Sequence, residues 1–85
     1  DFTTLKDKLA NEKWPDIYMY KFIMPADNQK IAKVEALFDS MADVVIRNSS
    51  KGNYVSITAK EMAINEEAVI KKYKAAAKIE GVMVL

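Results

Sequence analysis

The chain contains no cysteine and no histidine, and these two absences exclude several kinds of site. Without cysteine there is no disulfide framework, no thiolate nucleophile and no cysteine-based zinc site. Without histidine the chain lacks the commonest metal ligand and the usual general base near neutral pH. We therefore predict that the protein is not an enzyme and holds no metal or other cofactor. Carboxylate or lysine chemistry is the remaining catalytic alternative.

The chain also lacks a strong charge of either sign. Thirteen basic side chains stand against twelve acidic ones, a formal net charge of +1. Proteins that attract nucleic acid or anionic membranes usually carry a large basic excess. No apolar run approaches the length of a membrane span, and no segment resembles a secretion signal. We expect a cytoplasmic protein, and because the chain begins at Asp1 we expect a leading segment to be removed or to lie outside the numbering.

The length of 85 residues, with 51% hydrophobic side chains, is enough for one small core. We predict a single domain over residues 1–85, with an N-terminal helical extension over 1–14 and a core over 16–85. The extension should form a helix over 2–12 that stops where proline interrupts it. Its apolar side chains and its terminating pair are Phe2, Leu5, Leu9 and Trp14-Pro15.

The core is predicted to contain four strands. A first strand over 17–24 directs one set of aromatic and apolar side chains inward and a second set outward. Short strands follow over 43–48 and 82–85, and another starts at Tyr54. Its alternation breaks at residues 62–64, which predicts a bulge or an early end. The inward set of the first strand is Tyr18, Tyr20, Phe22 and Met24, and the outward set is Ile17, Met19, Lys21 and Ile23.

Two helices are predicted between these strands, with Asp27 and Asn65 as their N-caps and Gly81 as the C-terminal cap of the second. The apolar stripe of the first helix is Ile31, Val34, Leu37, Phe38 and Met41. The apolar stripe of the second helix is Val69, Ile70, Tyr73, Ala76 and Ala77. The lysines of this helix are predicted to form a solvated face, and they are Lys71, Lys72, Lys74 and Lys78.

The order of these elements predicts a ferredoxin-like βαββαβ sandwich. This is an α+β fold in which a four-stranded antiparallel sheet carries two helices on one face. The short N-terminal helix is an addition to it. A doubly wound parallel sheet is the alternative, but it needs more crossover helices than the chain provides.

A polar turn joins the second and third strands and is the one specific motif of the chain. Two hydroxyls, two cations and successive backbone N–H groups occur together there, which is a pattern that can bind an anion. The alternative is a plain hairpin loop with Gly52 at positive φ. The candidate interaction loop consists of Arg47, Ser49, Ser50, Lys51, Gly52, Asn53 and Tyr54.

The turn and the strand after it resemble the signature of the YbeD-like family, bacterial proteins of unknown function. Further similarity lies in Trp14-Pro15 with Tyr20-Lys21-Phe22, and in the closing segments Lys78-Ile79-Glu80 and Met83-Val84-Leu85. The resemblance implies a small ACT-like domain, similar in shape to the regulatory domain of phosphoglycerate dehydrogenase. It also implies a regulatory role, including one in lipoate metabolism, but no catalytic residue.

The outward side of the first strand is the second candidate site. Ile17, Met19 and Ile23 form an apolar interface that the two main helices do not cover. We expect either the N-terminal helix or a second copy of the chain to cover it. In ACT-like proteins paired domains form a ligand site, so a homodimer would have functional meaning.

These observations predict a regulatory or interaction module without enzymatic activity, which responds to a protein partner or a small-molecule effector. An RNA-binding module is the alternative, since such modules share the fold and stack bases on aromatic side chains of the open sheet face. Only Tyr54 is placed to stack a base, so nucleic acid and membranes are not expected partners.

Overall fold

The structure is a computed structural model that describes residues 2–10 and 12–85, and of Phe2 it describes the backbone alone. Its elements in chain order are α1 (Phe2–Leu9), β1 (Asp16–Pro25), α2 (Asn28–Glu35), β2 (Asp43–Asn48), β3 (Tyr54–Ala63), α3 (Glu66–Ala77) and β4 (Met83–Val84). The helix of the extension is therefore shorter than the predicted range of 2–12, and the predicted role of the Phe2 side chain lies outside the described residues.

The four strands form one antiparallel sheet in the order β2-β3-β1-β4. β1 and β3 lie in the centre and pair along ten residues, from Asp16 opposite Ala63 to Pro25 opposite Tyr54. Two crossovers, through α2 and α3, place both helices on one face. This confirms the predicted α+β, ferredoxin-like order of elements.

The predicted N-caps of both core helices are confirmed. The Asp27 carboxylate accepts a hydrogen bond from the backbone N–H of Gln29 at 2.8 Å. The side-chain oxygen of Asn65 accepts one from the N–H of Ala68 at 2.9 Å. Each cap satisfies a donor that the first helical turn leaves without a partner.

The core lies between the sheet and its two helices and is built on the inward side of β1. Tyr20, Phe22 and Met24 are buried there, as predicted. The Tyr20 ring centroid lies 5.2 Å from that of Phe38 and 5.3 Å from that of Tyr73, both in edge-to-face geometry. Such aromatic pairs add to the stabilisation that burial of their area provides.

The apolar stripe of α2 ends earlier than its spacing predicts. The helix stops at Glu35, and Met41 is 89% exposed, so its placement in the core is wrong. Phe38 is still buried, because the chain folds back over the sheet in a series of turns. Within these turns the Asp39 carboxylate accepts a hydrogen bond from the N–H of Met41 at 2.8 Å.

A partly buried ion pair holds this turn segment against the sheet. The Lys72 ammonium lies 2.5 Å from a Glu61 carboxylate oxygen and donates a second hydrogen bond to the carbonyl of Leu37 at 2.7 Å. The other oxygen of Glu61 accepts from the N–H of Asp39 at 3.0 Å, and Lys72 lies 4.7 Å from the centroid of the Phe38 ring. The prediction that all lysines of this helix are solvated is therefore wrong for Lys72.

The predicted bulge or early end of the third strand is absent. β3 pairs with β1 without interruption up to Ala63, so its alternation continues through the segment in question. Glu61 occupies an inward position of that alternation, where an apolar residue would be expected, and its charge is matched by Lys72. The sequence pattern is broken by a polar side chain, not by the backbone.

The end of α3 and the position of Gly81 differ from the prediction. α3 ends at Ala77, which is exposed instead of lying in the buried stripe. Gly81 has a positive φ of 86°, but it lies in the turn before β4 and does not cap α3 directly, since Lys78 occupies that position. Its Cβ position would lie 2.8 Å from the Lys30 ammonium nitrogen and 3.3 Å from the ring of Pro25.

Removal of the Glu61 carboxylate should destabilise the folded protein. Glu61→Ala would leave the Lys72 ammonium, which is 20% exposed, without its counter-charge and the N–H of Asp39 without its acceptor. We expect a loss of roughly 2–4 kcal/mol in the free energy of unfolding, less than for a fully buried pair because water reaches this one. Urea denaturation measures it, with the exposed Glu80→Ala as the control. Equal loss in both variants would contradict this role.

Candidate functional site

The sheet face opposite α2 and α3 carries most of the exposed apolar surface of the described chain. Ten large apolar side chains are exposed among the described residues, and strand alternation places seven of them on this face. We call it the open sheet face. Its exposed apolar side chains are Ile17, Met19, Val45, Tyr54, Met62, Met83 and Leu85. A concentration of exposed apolar side chains on one face often marks an interaction site.

The N-terminal helix does not cover this face. α1 packs against α3, and Leu9 is buried in the core on the helix side of the sheet. Ile17 and Met19 remain 60% and 50% exposed, whereas Ile23 is half-buried between its neighbours. Of the two expected covers, the N-terminal helix is therefore wrong, and a second copy of the chain stays a prediction.

A shallow depression of about 540 Å³ lies in the middle of the open sheet face. Apolar side chains from β1, β2 and Leu85 line it, together with two exposed cations, Lys21 on β1 and Arg47 on β2. The floor between the cations is formed by the hydroxyl residues Ser56 and Thr58 of β3. The depression therefore combines an apolar surface with positive charge.

The candidate loop is closed by its own hydrogen bonds. The N–H of Ser49 donates to the carbonyl of Tyr54 at 2.8 Å, and the N–H of Tyr54 donates to the Ser49 hydroxyl at 3.2 Å. The N–H of Gly52 donates to the carbonyl of Ser49 at 3.0 Å, with Gly52 at a φ of +73°. Several of the donors that could bind an anion are thus used within the turn, and its backbone geometry is that of a hairpin loop. Ser50 and Lys51 are exposed at its tip.

The two candidate sites meet in the folded chain. A second depression of about 230 Å³ is bordered by Ile23 from the predicted interface and by Arg47, Ser49 and Tyr54 from the predicted loop. It shares Ile23, Arg47 and Ser56 with the central depression. The pairing of β2 with β3 produces this continuity, since it sets Arg47 opposite Ser56. Sequence reasoning missed Val45, Met62, Met83 and Leu85, which only the strand register assigns to this face.

A separate groove of about 490 Å³ lies between α1, α3 and β4. Its walls are mainly apolar, with Leu5 and Val84 among them, and the rings of Tyr18 and Tyr73 contribute to its lining. These rings meet edge-to-face at 6.1 Å, and Tyr73 is buried. Burial, reinforced by a hydrogen bond with Tyr18, raises the pKa of Tyr73. Its phenol therefore stays neutral at physiological pH and supplies no charge to a ligand.

Comparison with known protein families shows which family the chain belongs to. A family model described as a protein of unknown function (DUF493) matches residues 11–85. The chain belongs to this family. The YbeD-like proteins constitute it, so the resemblance carried by the serine-lysine-glycine turn is confirmed. The match starts after α1 has ended, and no curated protein and no solved structure matches the chain.

The family is described as being of unknown function, so it supplies no functional residues. The candidate site therefore rests on the geometry of the open sheet face. Within the described residues, none of the helices has both the length and the apolar character that a membrane crossing requires.

Gly52 should be required only because of its positive φ angle, and not because a larger side chain would clash. No atom lies within 4 Å of the position of an added Cβ, so a side chain would fit, but the φ of +73° is strained for a β-branched residue. We expect Gly52→Val to lower the free energy of unfolding by roughly 1–3 kcal/mol. Gly52→Asn should lose less, since asparagine tolerates this conformation, and Lys51→Ala should change stability by no more than about 0.5 kcal/mol. Urea unfolding of the three variants tests the ranking, and parental stability of Gly52→Val would contradict it.

Alkaline pH should destabilise the fold through the buried tyrosines. Burial, with the Glu61 carboxylate and Tyr18 adding to it, raises the pKa of Tyr20 from 10.0 to about 12. In the unfolded chain Tyr20 ionises at its ordinary pKa, so unfolding is favoured as pH rises from 10 toward 12 and is unaffected below this range. Urea denaturation between about pH 8 and about pH 11 should show this loss. Tyr20→Phe should weaken the pH dependence and the exposed Tyr54→Phe should keep it; an unchanged slope in Tyr20→Phe would refute the assignment.

Proposed function

We propose that this protein is a non-enzymatic interaction module that binds a partner through its open sheet face. The concentration of seven exposed apolar side chains on one face is the observation that carries the proposal. A surface of this extent on a small domain is costly to leave in water and is typical of a binding site. The absence of cysteine and histidine from the sequence supports a role without catalysis.

A regulatory role fits this kind of module. The resemblance to ACT-like domains implies that binding at one domain changes the behaviour of an attached or associated protein. The central depression, with its apolar lining and two cations, is a surface at which such a partner would be recognised. We propose a cytoplasmic location. The chain has no cysteine and therefore no disulfide that would require an oxidising compartment.

RNA binding is the second candidate function. Tyr54 is half-exposed on the open sheet face, and it borders the same small depression as Arg47. An aromatic ring beside a cation is able to stack one base. The strands in the centre of the face, however, present Met19, Lys21, Ser56 and Thr58, and none of these is aromatic. RNA-recognition modules of this fold place their stacking rings there.

The proposal predicts that a single charge in the apolar surface abolishes partner binding. The tagged protein is used to capture partners from a native lysate, and the captured proteins are identified and then purified for direct binding. Met19→Asp should lose the partner, because the substitution removes an apolar contact and would bury a carboxylate, with Lys60 opposite it in the sheet, in the interface. Met41→Asp is the matched control, since Met41 is 89% exposed and lies in the turns before β2, outside the strands that form this face.

Two outcomes would refute the proposal. One is a partner that binds both variants equally, and the other is salt-dependent retention of the parent on mixed RNA that Tyr54→Ala removes, which would establish the second candidate instead. Urea denaturation of both aspartate variants should first show that they are folded.

A further inference from the structure

In the described part of the chain, the two cations that line the central depression lie opposite hydroxyl residues and not opposite acids. Lys21 lies opposite Thr58 and Arg47 lies opposite Ser56 in the sheet, so their cross-strand partners on β3 are hydroxyl residues. Lys60, by contrast, lies opposite Asp43. The described residues contain no ion pair that involves Lys21 or Arg47. Positive charge is therefore uncompensated in the middle of a mainly apolar face.

We propose that the open sheet face binds an acidic amphipathic helix of a partner protein, an inference that rests on the proposed function above. The apolar stripe of the helix lies on Met19, Ile23 and Val45, and carboxylates beside the stripe pair with Lys21 and Arg47. Ion pairs in this position are partly desolvated by the surrounding apolar side chains, which strengthens them. The charge and the apolar surface thus select the same ligand.

A helix fits this face better than an extended peptide. β3 is paired on both sides, by β1 and by β2, so no free strand edge exists in the middle of the sheet. A peptide lying flat on the depression would bury its backbone N–H groups with only the hydroxyls of Ser56 and Thr58 as side-chain acceptors. A helix satisfies its own backbone. Three strand spacings make the face about 14 Å wide, which is matched by about ten helical residues.

A second copy of the chain is a poorer occupant. A two-fold dimer apposes the same patch on both subunits. Contact across the central depression would therefore bring the Lys21 and Arg47 side chains of one copy against those of the other, and like charges at close range oppose association. Asp43 is the one carboxylate on this face in the described chain, and it already lies opposite Lys60.

An anionic membrane shares the required charge but not the shape. The apolar side chains Met19, Ile23 and Val45 line a concavity together with the two cations. A flat lipid surface would contact the border and leave the concavity unfilled. The ridge of side chains along a helix fills it.

The test uses two synthetic helical peptides of about 14 residues with the same leucine stripe. One peptide carries glutamates beside the stripe and the other carries lysines. Binding to the isotope-labelled protein is followed by nuclear magnetic resonance. We expect the glutamate peptide to shift the amide signals of Lys21, Ile23, Val45 and Arg47, to bind at least about tenfold more tightly than the lysine peptide, and to weaken as salt is raised.

A charge-reversal pair provides the matched control. Lys21→Glu/Arg47→Glu should weaken binding of the glutamate peptide by at least about tenfold. Lys33→Glu/Lys71→Glu makes the same change in net charge with exposed lysines of α2 and α3, and should leave the affinity unchanged. Circular dichroism and urea unfolding verify that both variants remain folded.

Several results would overturn the inference. These are equal affinity for both peptides, signal shifts confined to α2 and α3, no binding at about millimolar peptide, or tighter binding to phosphatidylglycerol vesicles than to the peptide. Concentration-dependent dimerisation that Met19→Asp abolishes would identify a second copy as the occupant instead. If the captured partner is lost with Met19→Asp but kept with Lys21→Glu/Arg47→Glu, the proposed function stands and only the acidic helix is refuted.

Discussion

The ten-residue pairing of β1 with β3 is the constraint on which the rest of the molecule depends. Because strand side chains alternate with a period of two, this register decides at once which residues enter the core and which face outward. A slip by one residue would place Lys21 among the aromatic rings and expose Tyr20 and Phe22. The buried aromatic cluster of Tyr20, Phe22, Phe38 and Tyr73 is specific to the observed register and stabilises it.

One polar side chain, Glu61, lies on the inward side of this strand pair. Its contacts hold α3 and the turn after α2 against the sheet. Glu61 faces inward at the end of β3 where α3 and the turn after α2 converge, and Lys72 and the N–H of Asp39 satisfy it. A single carboxylate thus connects three segments that are distant in sequence. Separating such a pair destabilises the fold, because it leaves a partly buried charge without its partner.

Features that depend on neighbouring residues were predictable from the sequence, and features that depend on distant ones were not. The faces of β1, the caps Asp27 and Asn65, and the positive φ of Gly52 follow from local patterns and agree with the structure. The early end of α2 and the inward position of Glu61 depend on contacts with α3 and the sheet, which helical spacing does not contain. The candidate site was predicted in two parts, and only the register between β2 and β3 shows that Arg47 and Ile23 border one surface.

The same register explains how a nearly neutral chain presents a basic surface. Lys21, Arg47 and Lys60 lie on the open sheet face against one acid, Asp43, so this face carries a formal charge of +2 although the whole chain carries +1. The remainder of the chain therefore has a formal charge of −1, and the composition alone does not reveal the charge of the face. Net charge governs solubility and long-range steering, but recognition depends on the charges that a partner meets at contact distance. The fold of this chain separates the two, since it places seven exposed apolar side chains and two cations without an ion pair among the described residues on the side of the sheet that the helices leave open.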